Sequence, residues 1–226
     1  MRRPNIRAVL PLILVVLLAG CASIAAMYSA PKYRSVAAGQ TPAPGEVLVI
    51  GRFVLDPPVQ QGVLAYLDPL DSKQNITFAV TEDLSEPVDM DALIPMVPEA
   101  FLMAEYNASS FLPMPPGSRY LRMGSYPITA YCSVQAIGPT GGCRAMHSEQ
   151  VTLVENVRIG VPAGATAVYI GTIVFEHDGE RGTRTYVRDD FRTALAELDA
   201  LGIPGIDSRS VTKELAEIVG PTVARR

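Results

Sequence analysis

The sequence predicts a mainly β protein: an antiparallel β-sandwich finished by a helix or helix pair at its C-terminus. Three observations carry this. Apolar, β-branched runs recur at short intervals. Turn residues separate them, in a chain with 18 glycines, 19 prolines and no tryptophan. The clearest helical spacing of apolar residues comes only after Asp189. Strands at short, turn-separated intervals favour a sandwich over an alternating α/β sheet.

The chain opens with three arginines, Arg2, Arg3 and Arg7, and carries no acidic residue before Glu46. The apolar run from Ala8 to Leu18 follows, and the small residues Ala19 and Gly20 lead to Cys21. A basic start, an apolar core and a small-residue end are the three parts of an export signal. The run is shorter than the roughly 20 apolar residues that span a bilayer comfortably.

Leu18-Ala19-Gly20-Cys21 matches the bacterial lipoprotein lipobox, Leu-(Ala/Ser)-(Gly/Ala)-Cys, at all four positions. Here the chain resembles bacterial lipoproteins. The resemblance implies cleavage between Gly20 and Cys21, a diacylglycerol thioether on Cys21, and a mature protein whose first residue is lipidated. A thiol suits thioether formation, and two or three acyl chains hold stably where one does not. Two other readings use the same residues: an uncleaved membrane helix over 8–27, and a signal cleaved without lipid. Ala22 and Ser23 follow the cysteine, not the aspartate that retains enterobacterial lipoproteins at the inner membrane. An outer-membrane protein facing the periplasm is therefore favoured over an inner-membrane or surface location.

Removing residues 1–20 takes three of 19 basic residues and none of 23 acidic ones, leaving 16 against 23 and a formal charge of −7. Such a body is a poor match for nucleic acid or for electrostatic binding to anionic headgroups. Cys132 and Cys143 remain as an even pair in an oxidising compartment, bracketing the turn Gly138-Pro139-Thr140-Gly141-Gly142. A structural disulfide between them is expected. A redox or metal-binding thiol pair is the alternative, without the two-residue spacing or histidine cluster those sites use.

Residues 21–45 read as the lipidated cysteine and a flexible tether, poor in large apolar groups and broken by Pro31, Gly39, Pro42, Pro44 and Gly45. Extended, such a tether would reach about 80 Å. The sandwich domain is expected over 46–188. Its strands are Val47–Leu55, Gly62–Leu67, Asn75–Thr81, a strand fed by the Pro115-Pro116-Gly117 turn, Ser125–Ala136, Val151–Ile159, Ala167–Phe175 and Thr183–Val187. Ala167–Phe175 is apolar on both faces and is placed in the middle of its sheet, with Gly171 marking a close approach. His177 to Gly182 is a polar hairpin loop.

Residues 83–116 read as an irregular insertion, with short helical turns possible at Asp89–Ile94 and Pro98–Tyr106 and prolines interrupting them. Phe101, Met103, Tyr106 and Phe111 are its candidate contact residues for a partner; core packing is the competing reading. Residues 189–226 are expected to be helical. Asp189 caps a first helix presenting Phe191, Leu195, Leu198 and Leu201, Gly202 stops it, and Ser210 caps a second from Val211 to Val219.

The mature part also resembles small β-sandwich lipoproteins of unassigned role. The matching residues are Pro116-Gly117 with Tyr120, Ala163-Gly164, Tyr169-Ile170-Gly171 and Asp189-Asp190. This resemblance implies an immunoglobulin-like or transthyretin-like sandwich and no activity.

No catalytic constellation emerges and no cofactor is expected. His147 and His177 lie in polar, loop-like surroundings, and adjacent His177 and Asp178 point apart on an extended chain. Asp178-Gly179-Glu180 lacks the full calcium-loop spacing. The methionines, among them Met90, Met96, Met114 and Met146, are too dispersed for a copper cluster. The expected function is a lipid-anchored, non-enzymatic accessory or interaction module of the cell envelope, with the bilayer as one partner and an envelope protein as another. A periplasmic small-ligand or metal-binding lipoprotein is the runner-up, and an envelope hydrolase the weaker alternative.

Overall fold

The computed structural model describes residues 32–58, 75–85, 101–132 and 146–221, the side chains of 127–132, 146–150 and 221 excepted. The signal, Cys21, the strand expected at Gly62–Leu67, the helical turn expected at Asp89–Ile94, Cys143 and the tail from 222 lie outside these residues.

Twelve strands and one helix make up the described chain: β1 (Tyr33–Arg34), β2 (Val47–Asp56), β3 (Asn75–Thr81), β4 (Phe101–Glu105), β5 (Ser109–Met114), β6 (Gly117–Cys132), β7 (Met146–Leu153), β8 (Glu155–Val161), β9 (Ala167–His177), β10 (Gly182–Arg188), α1 (Phe191–Leu201), β11 (Val211–Lys213) and β12 (Glu217–Pro221). One sheet runs β1-β4-β3-β6-β8-β12, with β7 also on β6. The other runs β10-β9-β2-β5, with β11 also on β9.

The two sheets stack around one apolar core. Alternation in β2 turns Val47, Val49, Phe53 and Leu55 inward, and β3 answers with Ile76, Phe78 and Val80. Phe78 bridges the layers, its ring 5.3 Å from Phe53 and 5.8 Å from Phe175. The other face of the second sheet carries Leu48, Ile50, Phe111, Ala167 and Tyr169, and α1 covers it with Ala194 and Leu198. The helix ends at Gly202, which takes the left-handed conformation at φ 65° and returns its N–H to Leu198.

The sheets are mixed rather than antiparallel. β2 pairs with β9 in parallel, as do β1 with β4 and β11 with β9. Apolar alternation specifies which face of a strand is buried but not the direction of its neighbour. β9 does sit inside its sheet, with β2 on one side and β10 and β11 sharing the other.

Three further expectations change. Residues 101–114 are not irregular: they form β4 in the first sheet and β5 in the second, joined by the turn at 106–108, and the helical turn expected up to Tyr106 is strand over Phe101–Glu105. Leu102 and Ala104 face the core from β4, and Leu112 and Met114 from β5. Pairing with β3 and β2 decides this against local propensity. The second C-terminal helix is absent. A 3-10 turn at Ser208–Ser210, capped by Asp207, leads instead into β11 and β12. β10 pairs with β9 only from Thr172 onward, so the edge at Ala167–Ile170 accepts the β-branched segment instead. The tether is also shorter than 21–45. Tyr33 is buried in the main core, and Val36 packs on the helix-side cluster.

Both seams between the sheets are closed by terminal segments. At one, β1 pairs with β4 of the first sheet, and then the Val36 N–H donates to the Phe111 carbonyl of the second at 2.9 Å. At the other, β11 pairs with β9, the Ala216 N–H donates to the Ile170 carbonyl at 2.8 Å, and β12 crosses to β8. Sheet edges otherwise present unpaired backbone groups.

Candidate functional site

A group of ionisable side chains joins α1 and its N-terminal cap to the neighbouring sheet. A bulge in β9 assembles it. Ile50 is opposite Tyr169 and Gly51 opposite Gly171, so Ile170 is one residue too many on its strand. The extra residue reverses the alternation: Tyr169 and Thr172 both face the helix, while Ile170 and Ile173 both enter the core. Glycines make room for it. A Cβ on Gly51 would stand 2.8 Å from the Ile170 side chain, and Gly171 takes φ 100°.

Arg52 of β2 pairs with Glu197 of α1, which also bonds Ser109 of β5. Arg188 Nε donates to Asp190 Oδ2 at 2.8 Å, and Thr172 reaches the same carboxylate. The Asp190 N–H donates to the Tyr169 hydroxyl at 2.8 Å, and the Phe191 ring lies 5.1 Å from that of Tyr169. Lys213 of β11 bonds the Asp189 carboxylate, whose other oxygen accepts the Phe191 N–H at 3.2 Å. Asp189 thus caps from outside, while Asp190 occupies the capping position without a side-chain cap bond.

The charge states follow from these contacts. Burial works to raise the Asp190 carboxyl, but hydrogen bonds from Arg188 and Thr172 outweigh it and hold the group below its ordinary value. Glu197 behaves alike, with burial opposed by Ser109 and Arg52. Burial pushes the Tyr169 hydroxyl up, against the Asp190 N–H. The stabilised carboxylates of Glu197 and Asp190 pair with Arg52 and Arg188, and the neutral Tyr169 hydroxyl accepts a hydrogen bond from the Asp190 backbone. These contacts fasten α1 to the sheet.

A cleft of about 430 Å³ opens at one end of the sandwich, where four turns meet. Prolines and glycines dominate it, among them Pro42, Pro44, Pro116, Gly164, Pro204 and Gly205. Its charged side chain, Glu46, is turned back onto its own loop, accepting the Ala43 N–H at 2.9 Å.

The residues singled out in the sequence are dispersed. Gly20 and Cys21 lie outside the described residues. Cys132 ends β6 opposite Met146, so the chain around the expected disulfide does return as neighbouring antiparallel strands, but Cys143 and the Cys132 side chain are outside the description. Phe101 and Phe111 are buried, and Met103 and Tyr106 half-buried. Phe111 lies beneath α1, and the Tyr106 ring is 5.0 Å from that of Tyr126. The two phenylalanines are therefore unavailable as contact surface. His177 accepts the Gly179 N–H on Nδ1 at 3.1 Å and meets the Pro57 carbonyl at 2.7 Å through Nε2. Asp178 accepts two N–H groups of its own hairpin, from Glu180 and Arg181. Met114 is core. Among the described residues no group of three or more His, Cys, Asp or Glu side chains is placed to hold a metal ion, and no helix is long and apolar enough to cross a membrane.

The Arg52–Glu197 pair carries no sequence signal, because 145 residues separate its members. Gly171 in an apolar strand was the one pointer to the bulge beside it. No family model, curated protein or solved structure matches the chain.

Proposed function

We propose that the chain is a lipid-anchored protein of the cell envelope, favoured at the outer membrane facing the periplasm, whose body is a non-enzymatic accessory or interaction module. The observation that carries this is Leu18-Ala19-Gly20-Cys21 at the end of a basic start and an apolar run. The body supports it in kind: its core is filled from both sheets, and its ionisable cluster serves to hold a helix. The immunoglobulin-like or transthyretin-like assignment belongs to this proposal. It draws on Ala163-Gly164, Tyr169-Ile170-Gly171 and the Asp189-Asp190 opening of α1. So does a Cys132–Cys143 disulfide, which predicts no alkylatable thiol in the mature, non-reduced protein.

The test is maturation. Wild-type protein should incorporate labelled palmitate and run at the mass of a chain beginning at acylated Cys21. The Cys21→Ala variant should accumulate as precursor. An unchanged mature mass in that variant sinks the reading. Crosslinking in intact cells should then capture one reproducible envelope partner. A second reading, a small-ligand lipoprotein, rests on the turn-lined cleft. It predicts a clean capture and a small molecule carried by the purified protein.

A further inference from the structure

The short distance between the anchor and the first docked residue bears on how the body sits at the membrane. Eleven residues, 22–32, separate Cys21 from Tyr33. At 3.3–3.6 Å per residue they reach at most about 40 Å. Tyr33 is not a free end. Its side chain is in the main core, β1 is paired with β4, and the Ser35 hydroxyl and the Val36 N–H bond Phe111 of β5. The chain therefore leaves the body at one fixed place, the β1 seam. The other seam, closed by β11 and β12, lies at the far end of the strand order. Five strand spacings of about 4.8 Å put it roughly 24 Å away across the sheet.

We infer that the body is held with its β1 seam against the bilayer surface and its C-terminal seam, with β10 and β12, facing outward. This rests on acylation of Cys21. Turning the far seam toward the membrane would use most of the available reach to travel around the sheet, and few chain conformations do so. A chain free to residue 45 would impose no such bias. The exposed side chains at the near seam fit a phospholipid surface. Lys32 and Arg34 flank the buried Tyr33, placing two cations at the exit point of a body whose mature charge is negative.

The experiment uses the full-length acylated protein in vesicles of phosphatidylethanolamine and phosphatidylglycerol that carry a quencher lipid. A fluorescent amino acid is placed at Arg34 or, on β10, at Thr183. The inference expects stronger quenching at Arg34 than at Thr183. A flexible insertion of about twelve residues after Pro31 leaves the docked chain intact and should erase that difference. Equal or reversed quenching in protein of the correct acylated mass overturns the orientation and leaves the anchor standing. Absence of the acyl mass on Cys21 overturns both. A difference that survives the insertion also overturns the inference, since tether length would not be its cause.

Discussion

Gly171 stands where the β9 bulge turns, at φ 100°, and a Cβ there would lie 2.4 Å from Val187 Cγ1. Val187 is β-branched and sits on the paired strand β10, so it has little freedom to withdraw. Gly171→Ala should therefore cost about 2–4 kcal/mol. Gly164→Ala separates backbone strain from crowding. It has φ 79° but nothing within 4 Å of the added carbon, and should cost only about 1 kcal/mol. Denaturant unfolding of the two variants checks the contrast. Equal losses would show that Val187 relaxes and that the bulge is not set by this contact. Gly124 is a second tight place, where an added Cβ would stand 2.6 Å from the Phe78 ring, beside Met123 at φ 49°. There β6 takes its own extra residue opposite β3.

Helix α1 is joined to its sheet by two kinds of contact. Ala194 and Leu198 bury an apolar stripe, and Arg52–Glu197 and Arg188–Asp190 tie down its polar side. The Glu197 side chain is 38% exposed, so solvent weakens the first pair. A double-mutant cycle with Arg52→Ala and Glu197→Ala should return a coupling of about 1 kcal/mol. The same carboxylates make stability depend on pH. Asp190 and Glu197 titrate below their ordinary values in the folded protein, so the unfolded chain binds more protons as pH falls. Their contribution is complete above the unfolded values, about 4, and is lost below that as the folded groups protonate. Denaturant midpoints measured from pH 7 to about pH 3 should fall. The fall should be shallower in the Arg52→Ala, Arg188→Ala double variant, and an identical slope would remove these pairs from the acid response.

Across the whole molecule, the two terminal segments close the sandwich. β12 covers the β8 edge through Glu217 opposite Arg158 and Ile218 opposite Val157. Arg158 adds an ion pair to Glu217 at 2.6 Å. Removing residues 217–226 should leave that edge open and produce self-association, visible by light scattering as a concentration-dependent mass. Truncated protein that remains monomeric would show that β8 needs no cover.

The sequence by itself carries the basic start, the apolar run and the Leu18-Ala19-Gly20-Cys21 pattern, and it determined the β class and the strands at Asn75–Thr81 and Ala167–Phe175. It also marked the hairpin after His177 and the stop at Gly202. Each of these is local, written in neighbouring residues as charge, apolar period or a turn residue. Tertiary structure alone decided the parallel pairing of β2 with β9, the strands β4 and β5 placed one in each sheet, and the strands at 211–221 where helical spacing suggested a helix. It also decided the docking of Tyr33 within a stretch that reads as tether. The physical reason is common to all four. An extended segment satisfies its backbone groups on another segment, and which edge is free is settled only when the sheets meet. Phe101 and Phe111 show the same limit for function. Their spacing and chemistry are those of a contact surface or of a core, and burial in the folded sandwich chooses between them.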